Sequence, residues 1–237
     1  MTATRIELQP AYVLHRRPYR DTSLLVEAFS RDHGRIGLVA RGARRPRSSL
    51  AGLLQPFHPL LLSWTGKGDL FTLVGAEADG RAAVPAGRNL YAGFYLNELL
   101  LRLLRRHDPC AELFEVYAVI LGHVAAGEDV EWALRLFERH LLEALGYGLS
   151  LLETAEGLPV EAGECYRYQL ENGPRAGATA EGIAVSGRAL LALASGEAPD
   201  AEAREQAKRL LRATLRLYLG EKPLQSRELY RQSLRYD

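Results

Sequence analysis

The sequence predicts an α+β chain in which a small five-stranded β unit precedes a helical region. Short runs rich in leucine, valine and aromatic residues recur through the first 80 positions, with turn signals between them. After Pro85 the apolar residues fall at helical spacing. Between about 150 and 185 both patterns lapse into a glycine- and proline-rich stretch, which reads as a small irregular insert. The expected domains are therefore 1–82 and 83–237, the insert lying within the second.

The predicted strands are "AYVLHRR" (11–17), "SLLVEAFS" (23–30), "RIGLVAR" (35–41), "FHPLLLSW" (57–64) and "LFTLVGAEA" (70–78). Turns are expected at Tyr19-Arg20-Asp21, at Asp32-His33-Gly34, across the arginine segment 41–47, and at Gly66-Lys67-Gly68-Asp69. Five strands suit an OB-fold. An SH3-like barrel fits the count nearly as well, and periodicity does not separate them. Helices follow over 89–107, 111–127 and 130–148, the last with an apolar seam of Val130, Leu134, Phe137, Leu141 and Leu145 and a stop at Gly146. "YRYQLENG" in the insert reads as a hairpin strand. A further helix opens at Asp200 as N-cap and closes at Gly220, and a short one over 226–235 is capped by Ser226.

Composition narrows the function classes. With 47% hydrophobic and 25% charged residues, the 237-residue chain is neither disordered nor fibrous. Cys110 and Cys165 lie far apart and make no metal spacing, and two cysteines give little support to a disulfide framework. A secretory leader and a membrane span are not expected, so the predicted address is the cytosol. The net charge of +1 hides an asymmetry. Residues 1–85 carry twelve basic against seven acidic side chains, which leaves 18 against 22 for the rest.

No catalytic constellation assembles. A phosphate loop, a nucleophile elbow and a zinc-protease helix motif are all missing, and the six histidines show no i, i+4 pair. Asp21, Asp32 and Asp69 are scattered among turns, which disfavours a magnesium-dependent nuclease. Cys165 beside Tyr166 and Tyr168 reads as structural rather than as a reactive thiol.

The basic segments are more informative. Arg16, Arg17 and Arg20 follow the first strand, Arg31 and Arg35 flank the second turn, and Arg41, Arg44, Arg45 and Arg47 follow the third strand, with no acidic residue from 40 to 68. If these loops share one rim of a barrel they form an anion-binding surface, with Lys67 adding to it, because guanidinium forks donate bidentately to phosphate. Pro46 stiffens the segment, and Ser48 and Ser49 are placed to cap a short helical turn after it. Tyr12, Tyr19, Phe57, Trp64 and Phe71 are candidate stacking platforms for unpaired bases, although all but Tyr19 read primarily as core. A second stripe, Arg204, Lys208, Arg212 and Arg216 with Arg209 alongside, lies at helical spacing. On the 130–148 helix, Arg135, Arg139 and Leu142 form a cationic, apolar face suited to a peptide C-terminus. The plain alternative there is an Arg135 to Glu131 pair.

Taken together, "AYVLHRRPYRDTSLLVEAFSRDHGRIGLVARGARRPRSSLAGLLQPFHPLLLSW" (11–64), "YLNELLLRLL" (95–104), "LRLFERHLLEALGYG" (134–148) and "YLGEKPLQSRELYRQ" (218–232) resemble the bacterial recombination mediator family RecO, in family order and over most of the chain. The resemblance implies an N-terminal OB-fold and a C-terminal helical domain. It implies a non-enzymatic DNA repair protein that binds single- and double-stranded DNA and anneals strands. It also implies the partners RecR, the C-terminal tail of SSB and, indirectly, RecA. By motif the tail-binding arginine is Arg135, with Arg139 and Leu142 beside it, and Arg227 in the terminal motif is a DNA contact. Some members bind zinc through four cysteines near the insert; only Cys165 remains here, so no metal or other cofactor is expected. Gln225 stands where many members have lysine. The rival reading is a scaffold whose barrel grips an acidic protein surface.

Overall fold

The computed structural model describes residues 4–177 and 181–233. The insert's residues 178–180, and positions 234 and 235 of the expected terminal helix, lie outside the described residues. Five strands, β1 (Thr4–Tyr19), β2 (Ser23–Ser30), β3 (Gly34–Ala40), β4 (Pro59–Gly66) and β5 (Leu70–Ala78), close into a barrel in the order β1-β2-β3-β5-β4. This is an OB-fold. Strand β1 pairs antiparallel with β2 and with β4, Ala11 facing Ser30 on one side and Leu60 on the other. Its register shifts between Val13 and His15 and again between Ile6 and Gln9. Such bulges add twist, so one 16-residue strand can bend across two edges. Closure is completed by the parallel pairing of β3 with β5, Gly37 against Leu70.

Period-two alternation fills the interior. Leu24, Val26 and Ala28 of β2, Ile36, Leu38 and Ala40 of β3, and Leu60, Leu62 and Trp64 of β4 all point inward. Ala43 and Leu54, on either side of a one-turn helix α1 (Leu50–Leu53), are also fully buried. The short helical turn forms where expected, but Ser49 makes no side-chain capping bond. Of the expected stacking aromatics, Tyr12, Phe57 and Trp64 are buried.

The outer face of the barrel is covered by α2 (Asn89–Leu103) and α3 (Ala111–Ala126). The Phe114 ring of α3 packs tilted at 5.4 Å from Tyr12 and edge-on at 5.5 Å from Phe29, with Tyr117 edge-on at 5.0 Å from Tyr12. One polar relay crosses this packing: buried Asn97 donates to the Leu14 carbonyl at 3.0 Å and accepts from the Tyr117 hydroxyl at 2.7 Å. Burial pushes the Tyr117 hydroxyl far above the ordinary phenol range, keeping it a donor.

Residues 104–108 then run along β3. His107 N–H donates to the Arg35 carbonyl at 3.0 Å, and Gly34, at φ +63°, approaches so closely that a Cβ there would sit 2.1 Å from the Asp108 carbonyl oxygen. A terminal helix α7 (Gln225–Ser233) lies antiparallel on α2. Barrel, α2, α3 and α7 form one compact unit, and residues 129–222 form another. This partition cuts through the region expected as one helical domain.

The second unit contains α4 (Val130–Ala144), strands β6 (Cys165–Gln169), β7 (Gly173–Ala176) and β8 (Ile183–Ser186), and helices α5 (Gly187–Ser195) and α6 (Ala201–Leu219). Helix α4 stops before Gly146, and Asp200 caps α6 by accepting from Ala203 N–H, both as the sequence predicts. The insert is more ordered than expected, with a three-stranded antiparallel sheet in the order β7-β6-β8. Tyr166 and Tyr168 are buried beneath it, Tyr166 accepting from Glu161 N–H at 2.9 Å. Cys165 is exposed, and no cluster of three or more His, Cys, Asp or Glu side chains occurs among the described residues, so the residues present do not fit a zinc site.

Replacing Asn97 by alanine strands two buried groups, the Leu14 carbonyl and the Tyr117 hydroxyl. A loss of about 2 to 4 kcal/mol is expected, measured as a lower urea midpoint with unchanged m-value.

Candidate nucleic-acid interface

The strand register decides which basic residues meet. Tyr19 pairs with Ser23 and Leu24 with Ala40, so the β1–β2 turn and the arginine loop leave the barrel at the same end. The loop is docked there: Arg44 N–H donates to the Thr22 carbonyl at 2.8 Å, and the Arg44 guanidinium reaches the Arg20 carbonyl at 3.3 Å. This brings together Arg17 and Arg20 with Arg41, Arg44, Arg45 and Arg47, all exposed. Arg17, Arg41, Arg45 and Arg47 have no side-chain partner among the described residues, and Arg20 lies 5.3 Å over the half-buried Tyr19 ring. Arg20 and Arg47 hold left-handed backbone, φ 52° and 72°. Non-glycine residues adopt it at a cost that the surrounding structure must offset.

Other predicted members are elsewhere. Ser30 pairs with Gly34, so Arg31 and Arg35 sit at the opposite end of the β2–β3 hairpin. Arg35 is half-buried, donates to the Leu101 carbonyl and faces Glu27 at 3.7 Å, while Arg106 also binds Glu27. Burial holds the Arg35 guanidinium below its usual range, against the pull of Glu27. Arg35 is thus a structural cation tying β3 to the covering helices, not part of the rim. Arg16 is also engaged, donating to the Ala51 carbonyl at 2.5 Å and to Gln55 Oε1 at 2.7 Å. Exposed Lys67 precedes Leu70, which pairs with Gly37, and so lies toward the start of β3, away from the arginine loop.

The terminal motif has a structural account. Glu98 of α2 accepts from Gln225 N–H and Ser226 N–H, both at 2.9 Å, and from the Ser226 hydroxyl at 2.6 Å. It supplies the cap that Ser226 was expected to give. Arg102 donates to the Pro223 carbonyl, and Arg227 lies 5.2 Å over the Tyr95 ring while donating to its hydroxyl at 3.2 Å. Arg227 therefore fastens α7 to α2, a role not visible in sequence because its partner lies 132 positions away.

In the second unit the α6 stripe divides. Arg204 pairs with Asp129 at 2.6 Å and Lys208 with Glu131 at 2.8 Å. Arg209, Arg212 and Arg216 remain on the exposed face. On α4, Arg135 is buried and bonds Glu138 rather than Glu131, and Leu142 is wholly buried. Neither lines an exposed groove as expected, because the apolar stripe of α4 is wide enough to take both inside. Arg139 stays half-buried and donates to His140, whose imidazole is held below its usual range by burial and then by Arg139.

Comparisons with known proteins agree along the chain. A family model described as Recombination protein O N terminal matches residues 4–79, and one described as Recombination protein O C terminal matches 85–228. A DNA repair protein RecO of Alkalilimnicola ehrlichii is 55% identical over 239 residues, covering 99% of this chain and 95% of its own. One of Nitrosococcus oceani is 55% identical over 228 residues, covering 95% and 93%, and one of Methylococcus capsulatus is 50% identical over 231 residues, covering 97% and 95%.

The α4–α6 ion pairs carry a pH dependence. Hydrogen bonds from Arg204 and Lys208 hold the Asp129 and Glu131 carboxyls below their ordinary ranges. Their contribution is present above the unfolded carboxylate range and is lost as pH falls through the folded values. Stability of the second unit should therefore fall between about pH 5 and pH 3. In a Trp64→Phe background, where Trp132 reports on this unit, adding Glu131→Gln should flatten that limb.

Proposed function

The chain belongs to the RecO family of DNA repair proteins, and from that premise we propose that it binds single- and double-stranded DNA through the barrel's arginine rim and anneals complementary strands without enzymatic chemistry. The observation that carries this is the convergence of Arg17, Arg20, Arg41, Arg45 and Arg47 at one end of the barrel, exposed and without a carboxylate partner among the described residues. In this reading the rim guanidiniums hold phosphate oxygens, contacts that position a strand without reading its sequence, and so leave Watson–Crick edges available to a second strand. Two strands repel through their phosphates, and binding both to a cationic rim lowers that penalty by releasing condensed counterions. Tyr19, half-buried within the rim, adds a face on which an unpaired base can stack. Lys67 and the α6 arginines Arg212 and Arg216 are secondary contacts in this reading.

The partner roles follow from the same premise. With RecR the chain assists loading of RecA onto DNA covered by SSB, on the nucleoid in the cytoplasm. Capture of the SSB tail is assigned to the α4 face, where half-buried Arg139 meets the tail and the Arg135–Glu138 pair and Leu142 hold the helix from within.

Five neutralised phosphates give a salt slope of about −3.5 on single strands and a roughly hundredfold loss of affinity between 50 and 200 mM salt. Fluorescence anisotropy of a labelled oligonucleotide measures this; a salt-insensitive complex would refute the rim mechanism. Replacing Arg41, Arg45 and Arg47 together by alanine should reduce the slope by about 2 whatever the sequence of the strand. Arg139→Ala should spare binding of naked DNA and weaken an SSB tail peptide about tenfold; equal loss of both would remove the division of labour.

A further inference from the structure

We propose that Arg16 is a positioning residue whose guanidinium, with Gln55, fixes the foot of the arginine loop so that Arg45 and Arg47 meet the phosphates at a preset spacing. The inference rests on reading the rim as a nucleic-acid interface. Both ends of the loop are tied to the barrel. At its start Ala43 is fully buried, and Arg44 N–H donates to the Thr22 carbonyl. At its far end Leu54 is fully buried and a closed polar triangle forms: Arg16 Nη1 to the Ala51 carbonyl, Arg16 Nη2 to Gln55 Oε1, and Gln55 Nε2 to the Ala51 carbonyl at 2.9 Å.

Between these ties the chain is stitched by turn bonds of its own, Arg45 N–H to Gly42 carbonyl and Ser48 N–H to Arg45 carbonyl. Arg45, Pro46 and Arg47 are exposed, and the left-handed backbone at Arg47 needs support from outside the turn. The planar fork reaches the two acceptors through separate nitrogens held in a fixed geometry; a lysine ammonium carries the charge on one nitrogen without that geometry. Arg16 spends its two terminal nitrogens on protein acceptors, so its part in binding is to hold the loop in the bound shape and reduce the ordering cost on association.

The test is a salt titration by fluorescence anisotropy, with a labelled single-stranded oligonucleotide and full-length wild type, Arg16→Lys, Gln55→Ala and Arg45→Ala. Arg16→Lys retains the charge and Gln55→Ala removes none. Each should weaken binding about five- to tenfold while the log–log slope stays at the wild-type value. Arg45→Ala should instead lower the slope by about 0.7. Wild-type affinity in either Arg16→Lys or Gln55→Ala overturns the proposal. If Arg16→Lys unfolds, judged by its melting transition, Gln55→Ala decides alone. A wild-type complex without salt dependence overturns the underlying reading of the rim, and that outcome is distinct from failure of the positioning role.

Discussion

Burial of the barrel interior is the constraint that decides where the first unit carries its like charges. Two guanidiniums roughly 8 Å apart in water repel by about 0.5 kcal/mol, and several of them on one rim would spread apart if the chain allowed it. The barrel does not allow it. Arg17 is fixed by the pairing of β1 with β2, Arg41 by the end of β3, and the loop bearing Arg45 and Arg47 by bonds at both ends. Free energy from burying Ala43, Leu54 and the barrel interior thus holds these like charges in place.

The same residue type does two jobs. Arg16, Arg35, Arg106, Arg204 and Arg227 are committed to carbonyls, carboxylates or a phenol, and they hold loops and helices together. The rim arginines make few such commitments. What separates the groups is the tertiary partner: a carboxylate such as Glu27 or Asp129, or a bare carbonyl at a helix end such as Leu101. Glu98 extends the pattern to anions, a single carboxylate supplying the missing acceptor for three donors at the start of α7.

Strands were legible because the barrel is one layer thick. Inward aliphatic side chains at Leu24, Val26, Ile36 and Leu38 alternate with outward residues, and that period survives in sequence. Helix ends at Asp200 and Gly146 were legible because caps are local. The sheet of the insert was not, since β7 and β8 are four residues each and too short for periodicity to register. Membership of the rim was not readable either. Arg31 and Arg35 fall between two segments that do reach the rim, and only the hairpin register sends them to the other end. The partner of Arg135 was not readable for a related reason: Glu138, three residues on, is as near in sequence as Glu131, and the structure pairs Arg135 with Glu138 and Glu131 with Lys208 of α6.

The fastening of α7 onto α2 bears on the order of synthesis. A ribosome finishes the barrel, α2 and α3 first, yet the α2 surface carrying Tyr95, Glu98 and Arg102 receives its cover only after all of residues 129–222 has emerged. Until then the nascent first unit exposes a carboxylate and an aromatic ring evolved for an internal helix. The second unit, continuous in sequence, is free to condense in the interval. Maturation of the first unit therefore waits on synthesis of the second, although its barrel precedes the second unit along the chain.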